Sequence, residues 1–154
     1  MTGPVTAAEG PFLCRTQRKR SGATVIVVDA SVLAVALGDD GPDGASARAA
    51  LDGESLTAPE LVDLEVLSVW RRQVAGGSMT PGRAKLALGD LTVLPVRRIS
   101  HRLLVRRCWE LRHAVTVYDA AYVALAEALG ISLLTADARL SRAPGLRCRV
   151  ELVG

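Results

Sequence analysis

The sequence predicts an α/β fold, a three-layer α/β/α sandwich around a central and mainly parallel sheet, and three observations carry that expectation. Val25-Ile26-Val27-Val28 is apolar without alternation and rich in β-branched side chains, the mark of a strand covered on both faces. Ile131-Ser132-Leu133-Leu134-Thr135 repeats the pattern, and each run leads into a carboxylate, Asp29 or Asp137. Between them, segments with helical spacing alternate with short strand-like runs, the order that builds a parallel sheet between helices.

Length and charge narrow the field. A chain of 154 residues with 49% hydrophobic content fits one domain with its own core. No apolar run is long enough for a membrane span and no secretory leader opens the chain, so a cytoplasmic protein is expected. Three cysteines, Cys14, Cys108 and Cys148, lack the spacing of a disulfide framework or a zinc site. The net charge of +3 is carried by residues 1–23, where Arg15, Arg18, Lys19 and Arg20 face Glu9. Residues 24–70 hold nine acids against Arg48 alone, and residues 71–112 hold ten bases against Asp90 and Glu110. Such segregation suits a polyanion brought to a cation-binding pocket, although solvated helix faces would also account for the bases.

Taken in order, residues 1–23 carry Gly, Pro and bases without periodicity and read as a disordered arm, dispensable or even outside the translated protein; a single domain fills 24–154. After the strand at 25–28, Val32, Leu33, Val35, Ala36 and Leu37 set a helix. The turn formers of 38–44 predict a loop, followed by a short helix at 45–52 and a strand at 55–58. Pro59 suits the first position of a helix over 59–75 whose apolar residues fall on nearly every side, which predicts burial and makes Asp63 and Glu65 conspicuous. Gly76-Gly77 ends it. Thr80-Pro81 opens a helix to about Leu91, 92–96 reads as a strand shortened by Pro95, and 102–113 as an amphipathic helix flanked by His101 and His113, both read as surface or capping residues. Thr116-Val117-Tyr118-Asp119 opens the clearest helix, closed at Gly130, and a last strand lies near 150–153. There is no internal repeat.

Strand ends of one parallel sheet open toward one edge, so Asp29 and Asp137 should face it together, with Glu65 and Asp119 able to join them. Each also has a structural reading: Asp29, Asp119 and Asp137 as helix caps, Glu65 as the partner of a base such as Arg72. Oxygen ligands without Cys or His would select a hard cation.

Val27-Val28-Asp29-Ala30-Ser31, Glu60-Leu61-Val62-Asp63-Leu64-Glu65-Val66, Thr116-Val117-Tyr118-Asp119-Ala120-Ala121-Tyr122 and Leu134-Thr135-Ala136-Asp137 resemble the signature segments of PIN-domain ribonucleases, specifically VapC-type toxins. The resemblance runs over about 24–153. It implies a PIN-like sandwich, an acidic quartet of Asp29, Glu65, Asp119 and Asp137 holding Mg2+ or Mn2+, and Ser31 and Thr135 as supporting hydroxyls. It further implies hydrolysis of an RNA phosphodiester, a VapB-type antitoxin and a homodimer. Arg71, Arg72, Arg106 and Arg107 would steer RNA. With 3% aromatic residues, stacking of bases is not expected and recognition should rest on charge and shape. The alternative is a non-catalytic PIN-like domain that binds RNA or protein.

Overall fold

A computed structural model describes residues 22–154; the arm expected over 1–23, with Cys14 and its four bases, lies outside the described residues but for its last two. Five strands, β1 (Val25–Val28), β2 (Ser55–Pro59), β3 (Val96–Ile99), β4 (Leu133–Thr135) and β5 (Val150–Leu152), form one sheet in the order β3-β2-β1-β4-β5. Every pairing is parallel. The helices are α1 (Ala30–Gly38), α2 (Pro42–Leu51), α3 (Val62–Ala75), α4 (Pro81–Val93), α5 (Val105–Glu110) and α6 (Val117–Leu129).

The continuous apolar runs become the sheet's middle because only there are both faces covered. Val27, Val28 and Leu133 have no exposed surface, and Val27 pairs with Thr57 on one side and Leu133 on the other. Helix α6 crosses β1, β2 and β4 with α5 against it, while α1 to α4 pack on one another as the other layer. Among the described residues no helix is long and apolar enough to cross a membrane.

Five local expectations are corrected. The loop expected over 38–44 shrinks to 39–41: α1 runs through Gly38, and Pro42 is the first residue of α2. The turn formers here start a helix, because the Asp39 carboxylate accepts the Gly41 and Gly44 amides at 2.8 and 3.1 Å. A Cβ on Gly44 would lie 1.8 Å from the Asp39 carbonyl oxygen, so this close turn admits only glycine. Pro59 ends β2 rather than opening a helix, in register with Ile99, and α3 starts at Val62. Helix α3 is also not buried all round, since Leu64 and Leu67 are exposed. Thr92 and Val93 finish α4, and the third strand slips to 96–99, since a residue before proline is forced out of the helical region and Leu94 is extended. The predicted helix over 102–113 divides into a 3-10 turn at His101–Leu104 and the short α5.

Candidate active site

The chain builds the sheet outward from β1 through β2 to β3, then crosses back to lay β4 on β1's free side. At such a reversal, connections leave in opposite directions and a crevice opens beyond the strands' carboxyl ends. Asp29 follows β1 directly and its amide donates to the Leu134 carbonyl at 2.9 Å, which fixes it against β4.

Asp29 occupies the N-cap position of α1, yet its side chain makes no capping hydrogen bond. Instead, Ser31 Oγ and Thr135 Oγ1 both donate to its Oδ2 at 2.7 Å. Thr135 is fully buried and also accepts the Asp137 amide at 3.0 Å, while Ser31 Oγ accepts the Ala136 amide at 3.0 Å. The two hydroxyls thus tie the ends of β1 and β4 together around one carboxylate oxygen. Glu65, half-buried in the first turn of α3, receives a short hydrogen bond from the buried Tyr122 hydroxyl to Oε2. Asp119, in the first turn of α6, receives the Thr116 hydroxyl on Oδ2 at 2.7 Å, and the same hydroxyl oxygen accepts the Asp119 amide at 3.1 Å. Thr116 therefore caps α6 and aims Asp119 at once. In all three acids a hydroxyl holds one oxygen, and the other has no side-chain donor among the described residues.

Electrostatics joins these three. Burial pushes the Asp29 carboxyl above its ordinary value, against the Thr135 and Ser31 hydrogen bonds, and the Asp119 charge adds to the rise. Burial likewise raises Glu65 against the Tyr122 hydrogen bond, with Asp29 and Asp119 both contributing. The Tyr122 phenol is itself driven far up, first by burial and then by Glu65, so it remains a donor. Among the described residues no cationic side chain pairs with Asp29 or Glu65. Oxygen ligands, like charge and one unclaimed oxygen apiece are what a hard cation requires, although no three His, Cys, Asp or Glu side chains among the described residues are closed around one point.

Asp137 differs. Its Oδ1 accepts the Arg139 amide at 2.8 Å and the Arg139 guanidinium reaches Oδ2 at 3.3 Å. Burial works against ionisation, but these Arg139 contacts hold the carboxyl below its ordinary value. Asp137 and Asp119 line one cleft of about 460 Å³, whose rim carries Thr116, Arg112, His113 and Arg139. Asp29 and Glu65 do not line this cleft.

Asp63, which the sequence could not separate from Glu65, is claimed by Arg98 through two hydrogen bonds of 2.7 Å. Glu65 has no arginine partner among the described residues, and Arg72 instead donates to Ser68 Oγ at 3.1 Å. Arg71, Arg72 and Arg106 are exposed. Arg107, expected to steer RNA, is committed elsewhere: its guanidinium binds Glu127 at 2.7 Å, Glu110 at 3.2 Å and the Gly145 carbonyl at 2.9 Å. The orienting role of Tyr122 was not foreseen. Its signal was a hydroxyl on an otherwise aliphatic helix face, one turn after Asp119.

The sequence model of the PIN domain matches residues 26–146. Ribonuclease VapC1 of Mycobacterium tuberculosis is 43% identical over 128 residues, 82% of this chain and 96% of that protein. Ribonuclease VapC12 of the same organism is 39% identical over 129 residues, 84% and 99% of the two chains. Among solved structures, VapBC2 from Rickettsia felis, crystallised with a DNA fragment from its promoter, covers 85% of this chain and 100% of its own with a TM-score of 0.60. At 14% identity that is a likeness of fold.

Proposed function

The chain belongs to the PIN domain family, and from that premise we propose that it is an endoribonuclease of the VapC kind, the toxin of a toxin-antitoxin pair. The observation that supports this chemistry is the trio of hydroxyl-held carboxylates, Asp29, Glu65 and Asp119, whose charges act on one another. A divalent cation, Mg2+ or Mn2+, would be held by these three with Asp137. When bound, it supplies activation of a water and neutralises charge growing on the phosphate. The chain's own residues supply the rest. Ser31 and Thr135 orient Asp29, Tyr122 orients Glu65 and Thr116 orients Asp119, each donating to the carboxylate and leaving an oxygen toward the ion. Arg139 is the cation already seated on Asp137 and stands on the cleft's rim, where a phosphate would meet it.

The relatives' names and the VapBC complexes sharing the fold support a VapB-type antitoxin as partner, and the place of action we infer is the cytoplasm. A homodimer would suit the exposed apolar side chains Leu64 and Leu67 on α3. Exposed Arg71, Arg72 and Arg106 would steer RNA. Incubating the purified full chain with cellular RNA in magnesium, then mapping the new ends, tests the reading. Cleavage should vanish in chelator and in Asp119→Asn. Intact RNA in magnesium, with binding retained, would favour a non-catalytic domain.

A further inference from the structure

Arg112 belongs to two features at once. Its guanidinium stands over the Trp109 ring, 4.7 Å from the centroid, and its Nη1 donates to the Trp109 carbonyl at 2.9 Å. The same side chain lines the cleft that holds Asp119 and Asp137. Trp109 is 64% exposed, against 2% for Trp70, which is buried with its indole N–H on the Ala34 carbonyl at 3.0 Å. Arg106 lies three residues before Trp109 on α5, so the two share a helix face. Arg106, Arg112 and His113 are all exposed and form no ion pair among the described residues. Just outside the cleft, joined to its rim through Arg112, an exposed aromatic ring thus stands among bases with no ion-pair partner among the described residues.

A protein partner covering this surface would have to desolvate those guanidiniums together with the ring. A single nucleic-acid strand matches it group for group: a base has a face to stack on the indole, and its flanking phosphates meet the arginines. A duplex keeps its bases inside and has no use for the ring. Resting on the ribonuclease reading, we propose that Trp109 and Arg112 form a stacking platform that seats an unpaired base of the RNA strand next to the cleft lined by Asp119 and Asp137. This replaces the expectation of recognition by charge and shape alone.

The test uses the full chain, with oligouridylate as probe and the same strand paired with oligoadenylate as control. Binding is followed in chelator by tryptophan emission and by titration; cleavage is read separately in magnesium. Oligouridylate should quench the exposed Trp109 over a constant Trp70 background. Trp109→Leu should weaken its binding by about 5- to 150-fold, the range of one base–aromatic stack. Trp109→Phe should restore most of the affinity, and duplex binding should be indifferent to both. Arg112→Gln should lower the log–log salt slope by about 0.7, one single-strand phosphate contact. Wild type that binds and cuts oligouridylate with unchanged emission, and Trp109→Leu that does so equally well, would overturn the platform while leaving the ribonuclease reading intact. So would a variant altered only in its sedimentation, which would make Trp109 an interface between copies. Wild type that neither binds nor cuts RNA overturns both.

Discussion

Replacing Asp29 by Asn isolates the charge at the centre of the site. Both hydroxyls converge on a single oxygen, so an amide oxygen in that place accepts both bonds and the local shape is kept. Taking a carboxylate out of water costs several kcal/mol. A hydrogen bond to a charged group returns about 1.5–3 kcal/mol, so the two hydroxyls return about 3–6 kcal/mol. The balance is close, and burial together with the Asp119 charge tips it against ionisation, as the raised carboxyl shows. Asp29→Asn should therefore melt higher than wild type in chelator near neutral pH, each kcal/mol of relief raising the midpoint by roughly 2–4 °C for a domain of this size. In magnesium at a hundredfold excess over its dissociation constant, wild type should gain about 2.7 kcal/mol and the variant almost nothing. The advantage gained in chelator should thus shrink or reverse, and RNA cleavage should be absent. Calorimetry with and without magnesium reads both effects. If Asp29 were a helix cap, Asn would serve as well and neither stability nor metal response would change. A variant that melts below wild type in chelator, or keeps the full magnesium rise, refutes the reasoning.

Three further outcomes follow from the same geometry. Tyr122→Phe removes the buried donor from Glu65; it should cost about 1.5–3 kcal/mol and weaken magnesium binding, and an unchanged calorimetric titration would show that Glu65 needs no orientation. In chelator, stability should peak near the ordinary carboxylate range, about pH 4, and decline toward neutrality. The folded state holds the Asp29 and Glu65 protons more tightly than the unfolded chain does, so ionising them as pH rises through their folded values destabilises it. Asp40, Glu127 and Asp137 lie below their ordinary values and act in the opposite sense, their stabilisation being lost as pH falls through those lowered values. Urea melts across this range that stay flat or rise above pH 4 would contradict it. Arg107→Ala strands Glu127, whose side chain is only 10% exposed, and should cost about 2–3 kcal/mol with no change in the salt dependence of RNA binding. Arg106→Glu should do the reverse, and a shallower slope in the Arg107 variant would return that residue to the RNA surface.

The parts of this architecture legible in the sequence are those where one physical demand dominates. Burial of Ile26 to Val28 in β1 and of Leu133 and Leu134 in β4 wrote apolar runs into the sequence, and the edge rule then put Asp29 and Asp137 at the same end of the sheet. The rest depended on competition between demands. The turn formers at 38–44 are equally the residues that start a helix, and only the Asp39 carboxylate decides between these roles. Asp63 and Glu65 stand two apart on α3, so periodicity cannot tell them apart; Arg98, from β3, separates them through a contact 35 residues away. Arg106 and Arg107 are chemically alike neighbours, and Glu127 claims one of them. Long-range pairing of side chains leaves no local signature.

The position of β4 has a consequence in time. Threaded between β1 and β5, it is the strand that gives β1 its second neighbour, and it arrives late in synthesis. Until Thr135 has left the ribosome, Asp29 lacks one of its two donors and Asp137 has no place beside Asp119. The pair of hydroxyls that holds the Asp29 carboxylate is therefore completed only when β4 pairs with β1.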